Sequence, residues 1–257
     1  SATTEVVDDA LAWLEDQDDA PWMMWVSFNA PHAPLHAPPS DLHSYELDGL
    51  DIKSEPLPFF QAMIESMDTE LARLLSEVDQ DNTIIIYLGD NGTMSTVNQG
   101  AYQEGHAKGS LGQGGVQVPM IITGPGIPTG DVDAMVHVVD LYATILDLLG
   151  VEMSDDIEHD SISMLPYLLD PTTPPLRGLM LTELFGDRVP SIQAGRAART
   201  TDHKLIRLFT GQEHLYNLRY DPTGEMDLMQ KPLTEESRAA ALYLGDYLSE
   251  IEMQAGF

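Results

Sequence analysis

Residues 83–92, TIIIYLGDNG, and residues 107–119, AKGSLGQGGVQVP, decide how this chain is read. A run of β-branched and aromatic residues that stops at glycine, acid and amide predicts a buried strand over Thr83–Leu88. Asp90 and Asn91 then stand at the carboxyl end of that strand, where open α/β sheets place their ligands. Both offer side-chain oxygen, the donor that a hard divalent cation takes. Lys108, flanked by small residues, brings a positive charge to the loop that follows. A metal and a lysine converging on one point describe a site for an oxyanion, sulfate or phosphate.

Outward from this stretch the pattern alternates between helix and strand. Val6, Val7, Ala10, Leu11 and Leu14 recur at helical spacing among acids and predict an amphipathic first helix. PWMMWVSF (21–28) reads as a buried strand that empties into NAPHAPLHAPP. Prolines at that density forbid regular structure, so His32 and His36 are expected on a rigid loop. Residues 39–58 read as an acidic surface excursion, and 59–78 as a long helix marked by Phe60, Met63, Ile64, Met67, Leu71, Leu74, Leu75 and Val78. VPMIITGPG is another strand, and Asp140–Leu149 a short helix closed by Gly150. This alternation predicts an α/β fold, a mainly parallel sheet with helices on both faces. After Pro171–Pro175 the texture changes: GLMLTELF, QAGRAARTT, HKLIRLF and EHLYNL are short strand candidates in quick succession. They predict a small antiparallel sheet, closed by an amphipathic helix over Thr234–Met253, with a soft boundary near Leu176.

Composition bounds what such a chain does. At 257 residues it can bury a full core, and no run of about 18 apolar residues spans a bilayer. There is no cysteine, which excludes disulfides, thiolate zinc sites and a cysteine nucleophile within these residues. Forty-two acids against 12 bases give a formal charge of −30, a field that repels nucleic acid and anionic membranes. The same field hinders an anionic substrate unless a metal or a local lysine reverses its sign. A solubility adaptation to a salty medium accounts for the excess. The first residues carry no basic n-region or apolar h-region, so no signal peptide is visible; opening directly on a helix is expected of a processed or partial chain.

Several segments occur in an order that resembles the sulfatase family, of the alkaline phosphatase superfamily. They are SFNAPHAPLHAP, ESMDTELARLL, NTIIIYLGDNG, GHAKGSLGQGGVQVPMIITGPG, VVDLYATILDLLG, RAARTTDHKLIRLF and LYNLRYDPTGEMDLM. The resemblance implies an alkaline-phosphatase-like α/β catalytic domain, here in part over residues 1–176, with a small α+β subdomain over 177–257. It implies hydrolysis of a sulfate ester at a divalent cation, Ca²⁺ first and Mg²⁺ second. Asp90 and Asn91 match two of the family's metal ligands. Lys108, in HAKGSL, matches the lysine that contacts the sulfate. His32, in APHAP, matches the histidine that approaches the leaving-group oxygen or the sulfate. His106 neighbours the site loop and is a candidate to line the substrate pocket.

The family also carries an Asp-Asp metal pair and a Cys- or Ser-x-Pro-x-Arg motif whose first residue becomes formylglycine, the nucleophile. In the family both lie upstream of the segments represented here, and no Cys- or Ser-x-Pro-x-Arg occurs in these residues. The chain is therefore expected to be the second half of a sulfatase, to require the N-terminal half as its partner, and to be inactive alone. The family resemblance favours a periplasmic or secreted location. A phosphate or phosphonate monoester hydrolase of the same superfamily, and a non-catalytic binding module that keeps the fold, are the alternatives. A smaller departure is Ala143, where the family often has proline before Thr144.

Overall fold

Ser1 starts the chain as a helix cap: its hydroxyl accepts from the Thr4 N–H at 3.3 Å at the head of α1 (Ala2–Glu15). The computed structural model describes residues 1–100, 102, 105–154, 156–186 and 193–254, in two compact units, Ser1–Ile85 and Ile86–Phe257. In the first unit, helix α2 (Pro56–Ser76) begins on a proline, whose missing N–H is not needed in the first helical turn. Sequence periodicity places the start later, at Phe59, because apolar spacing does not register a proline that opens a helix. Leu74 of α2 meets Val7 and Ala10 of α1, and Leu11, Leu14, Met24, Val26 and Phe28 close this cluster.

The segment Pro21–Phe28, expected as a buried strand, is not a strand in the structure. It alternates as a strand does, with Met24, Val26 and Phe28 against the helices and Met23 and Trp25 at 56% and 70% exposure. Yet it joins no strand ladder among the described residues. Period-two burial is a property of extended backbone, whereas a strand also needs a hydrogen-bonded neighbour.

Strand β1 (Ile85–Leu88) leads into the second unit; it is shorter than expected and half-buried along its length, and it pairs with β2 (Met120–Thr123). Between them lies the one-turn helix α3 (Gln113–Val116). Ile86, Leu88, Met120 and Ile122 pack on Leu141, Met164 and Tyr167, the inner residues of the segments carrying α4 (Asp140–Leu148) and α5 (Leu165–Leu169). Asp140 ties this cluster together from inside. Its carboxylate accepts the His137 N–H at 2.8 Å and the Ile162 N–H at 2.9 Å, and pairs with the guanidinium of Arg177. Arg177 also donates to the Asp160 carbonyl at 2.9 Å.

Strands β3 (Met180–Leu184), β4 (Gly195–Arg199), β5 (His203–Leu208) and β6 (Glu213–Asn217) form an antiparallel sheet in sequential order. Helix α6 (Glu235–Gln254) covers one face, where Leu244 and Leu248 meet Ala198, Leu205 and Leu215. The other face carries Ala197, Ile206, Tyr216 and Leu218, and Leu111 fills its centre. Along β6, Asp227 accepts the Leu215 N–H at 3.1 Å, the Met229 N–H at 2.9 Å and the His214 Nδ1–H at 3.0 Å. Partial burial works against its charge, but bonds from Gln230, Met229, His214 and Leu215 outweigh that and hold the carboxyl below the usual carboxylate range. The fold is thus α/β, followed by a small antiparallel sheet and a C-terminal helix. No helix among the described residues is long and apolar enough to cross a membrane.

Removing the Asp140 carboxylate leaves Arg177 buried without its counter-charge. Asp140→Ala is expected to destabilise the second unit by about 3–5 kcal/mol, the usual cost of breaking a buried ion pair from one side. Urea midpoints of the two proteins measure it; a loss below about 1 kcal/mol would show that the pair is solvated.

Candidate functional site

Two loops build the site, and glycine is what lets them meet. After β1 the chain runs through Gly89, whose N–H donates to the Pro119 carbonyl at 3.0 Å, to Asp90, Asn91 and Gly92. The Gly92 N–H donates to the Gly115 carbonyl at 3.0 Å. A Cβ on Gly92 would lie 1.7 Å from the Gly114 carbonyl oxygen, so the two backbones touch where a side chain would stand. Farther along, the Lys108 N–H donates to the Thr93 carbonyl at 2.9 Å. Gly109, at φ +82°, turns the chain sharply just after the lysine.

This pairing brings Asp90, Asn91 and Lys108 onto adjoining loops. Asp90 and Asn91 are exposed, and Asp90 Oδ1 accepts both the Asn91 backbone N–H at 2.8 Å and the Asn91 side-chain amide at 2.7 Å. That contact fixes the two side chains relative to each other and leaves Asp90 Oδ2 and Asn91 Oδ1 outside it. Lys108 is half-buried, and among the described residues no hydrogen bond or ion pair engages its ammonium. In a chain of −30 net charge, a cation kept apart from carboxylates is available to an anionic ligand.

His106 lies under the same loop. Its Nδ1–H donates to Glu225 Oε1 at 3.2 Å, and its ring meets Tyr216 edge-on at 6.0 Å. Glu225 is itself placed by Asp221, whose carboxylate accepts the Glu225 N–H at 2.7 Å and the Met226 N–H at 2.6 Å. The ring is therefore anchored to the β6 side, with Nε2 as its remaining polar atom. Glu225 and Tyr216 are not read as site residues from the sequence, although DPTGEMD has the acid-proline-glycine texture of a tight, structured turn.

His32 belongs to the first unit. It is exposed on the proline loop, with its Nδ1–H on the Ala33 carbonyl at 2.7 Å and its backbone N–H on the Asn29 carbonyl at 2.8 Å. A carbonyl only accepts, so Nδ1 carries a proton and Nε2 is the ring nitrogen left for a ligand. His36 is oriented similarly, on the Pro34 carbonyl at 3.2 Å.

The donor chemistry at Asp90 and Asn91, hard oxygens held side by side, fits Ca²⁺ or Mg²⁺. Among the described residues no three His, Cys, Asp or Glu stand together as a metal cluster. The two residues are thus part of a coordination shell that in calcium takes 6 to 8 oxygens.

A family model described as Sulfatase matches residues 1–151, and one described as N-sulphoglucosamine sulphohydrolase, C-terminal, matches residues 108–245. The chain is 27% identical over 255 residues to the ulvan-active sulfatase of Formosa agariphila, covering 88% of this chain and 48% of that protein. It is 29% identical over 159 residues to the uncharacterized sulfatase YdeN of Escherichia coli, covering 59% of this chain and 28% of that one. The chain therefore spans about half or less of the length of these curated relatives. Its fold matches Ps i-CgsB in complex with k-i-k-neocarrahexaose at a TM-score of 0.77 and 22% identity, over 98% of this chain and 54% of that one. It also matches the phosphonate monoester hydrolase of Agrobacterium radiobacter at 0.68 and 22%, over 98% and 60%. At these identities the two structures show the fold alone.

The close approach at Gly92 predicts an asymmetric response to a single methyl group. Gly92→Ala forces the two loops apart and is expected to destabilise the protein by about 1–3 kcal/mol, as overpacking does. Gly178→Ala, where nothing lies within 4 Å of the added carbon, is the control and should change little. Calorimetric midpoints compare the two; equal shifts would mean that the loops separate freely.

Proposed function

The chain belongs to the sulfatase family, and on that premise we propose that it is part of a hydrolase that cleaves a sulfate ester from an organic or carbohydrate substrate. The observation that carries this reading is the Lys108 ammonium, half-buried and unengaged among the described residues, on the loop that adjoins the Asp90 and Asn91 oxygens. The name of one similar protein, an ulvan-active sulfatase, supports a carbohydrate substrate.

The roles follow from the chemistry of each group. As the bond between sulfur and the leaving oxygen breaks, negative charge builds on the sulfuryl oxygens, and Lys108 offsets it. Asp90 and Asn91 would hold a divalent cation, which when bound supplies Lewis-acid stabilisation of that charge. His32, its ring oriented by the Ala33 carbonyl, serves the departing oxygen through Nε2, giving it a proton from the protonated ring. His106, braced by Glu225, offers Nε2 to a polar group of the substrate. The nucleophile lies outside these 257 residues: no Cys- or Ser-x-Pro-x-Arg stands among them. We accordingly take residues 1–176 as the later part of the catalytic domain and 177–257 as its small subdomain, with the N-terminal half as partner and a periplasmic or secreted location; residues 255–257 lie outside the described residues.

The test uses the protein that carries this chain. Wild type is expected to turn over an aryl sulfate in preference to an aryl phosphate or phosphonate, and the reverse preference would establish the monoester-hydrolase alternative. Lys108→Ala should lower kcat by about 10²–10³-fold, by comparison with lost oxyanion donors, with an unchanged melting temperature. Normal turnover in that variant would remove the lysine from the chemistry. Residues 1–257 alone should show no turnover and bind Ca²⁺ no tighter than roughly millimolar, as weak calcium modules do. Micromolar affinity that survives Asp90→Ala with Asn91→Ala would place the metal elsewhere.

A further inference from the structure

Lys204 is 2% exposed and is the bulkiest fully buried side chain among the described residues. A buried ammonium is costly unless it is paired, yet among the described residues no carboxylate stands within ion-pair distance of it. Its partner is the side chain of Gln113, 2% exposed, whose Oε1 accepts from Lys204 Nζ at 3.0 Å. The other end of that amide donates to Gln117 Oε1 at 3.4 Å. The charges around Lys204 do not compensate it. Arg199 of β4 stands directly opposite in register, and Tyr216 of β6 on the other side. The carboxylates of Asp227, Glu225 and Asp221 act on Tyr216, which burial first and these acids second push up to about 12. On the loop side the Lys204 ammonium bonds the neutral amide of Gln113. Burial first, and Arg199 second, bring the ammonium down to about 7.

Gln113 opens α3, the turn that presents Gly114 and Gly115 to Gly92. Three links therefore join β5 to the Asp90–Asn91 loop: Lys204 to Gln113, the backbone of residues 113–115, and the Gly115 carbonyl to the Gly92 N–H. We propose that Lys204 is a positioning residue, holding the Gln113 turn in place so that Asp90, Asn91 and Lys108 keep their mutual arrangement. A residue serving only to fill the core would be replaceable by methionine without consequence for those loops, and it would avoid the cost of a buried amine. The importance of the arrangement for turnover rests on the function proposed above; the positioning itself does not.

The experiment is peptide-resolved hydrogen exchange on the complete protein, wild type against Lys204→Met, with kinetics in parallel. Exchange in residues 89–93 and 105–116 should accelerate by about 10–100-fold, the equilibrium consequence of losing one hydrogen bond to a charged group. Protection in β4, β5 and α6 should stay as in wild type. The kinetic signature is a kcat lowered about 10-fold or more with KM changed less than about twofold, because an interaction made in the transition state is weakened. Uniform loosening of the sheet and the loops would make Lys204 a packing residue, and unchanged loop exchange would show that Gln113 is held by other means; either overturns the proposal. Gln113→Glu is the second variant and keeps the sheet intact. Giving the ammonium a carboxylate should slow exchange in 89–93, and faster exchange there would count against the link.

The pH dependence tests the burial of the ammonium itself, separately from the loops. Unfolded lysine titrates near 10.4, so between about 7 and 10 the unfolded chain binds more protons than the folded one. Stability should therefore rise with pH across that window. Lys204→Met should lack that rise, and parallel curves for the two proteins would show that Lys204 keeps an ordinary affinity for its proton. A wild type without turnover would refute the sulfatase reading and leave the exchange pattern to decide the role of Lys204.

Discussion

The contact on which the second unit depends is made of backbone alone: Gly92 against Gly114 and Gly115, with no room for a Cβ between them. Everything chemical follows from how close two polypeptide backbones can come. Because Gly92 seats against the turn, the acid and amide that follow β1 are held to the loop that carries Lys108. Because that same loop drops Leu111 into the face formed by Ala197, Ile206, Tyr216 and Leu218, the small sheet becomes the floor of the site. The antiparallel sheet is thus wedged between two different companions. On one side α6 contributes Leu244 and Leu248; on the other lies a glycine-rich loop with one leucine. Helix packing stabilises the sheet, and the sheet in turn gives an otherwise soft loop a rigid surface to rest on.

Much of this was legible in the sequence because the decisive signals are local. A β-branched run ending in Gly89-Asp90-Asn91-Gly92 names both the strand and the loop, and a lysine among small residues stands out from a chain so rich in acids. The four short strands after Pro175 and the closing helix are likewise stretches of five to twenty residues whose periodicity is self-contained. Leu111 was not legible as a core residue of that sheet, since nothing in GSLGQGG says which surface its one large apolar side chain will meet.

What escaped the sequence was whatever needed a partner far along the chain. His106 and Glu225 are 119 residues apart, and Gln113 and Lys204 are 91 apart, so no window includes either pair. A clue existed for the second: in HKLIRL, alternation puts Lys204 on the same face as Ile206, an odd place for a charge. Pro21–Phe28 failed in the opposite sense. Its local pattern was correct in every alternation, but a ladder is a relation between two segments, and periodicity within one cannot supply the other.

The last strand of the small sheet carries a guard on its outer side. An outer strand offers a row of free N–H and C=O groups, a template onto which a second copy can lay a strand of its own. On β6 the Leu215 N–H is taken by the Asp227 carboxylate, which also holds Met229 and His214. An arriving strand meets an occupied donor and a fixed negative charge where it needs an open amide. One aspartate, set beside the outermost strand, thus occupies a donor that an added strand would need.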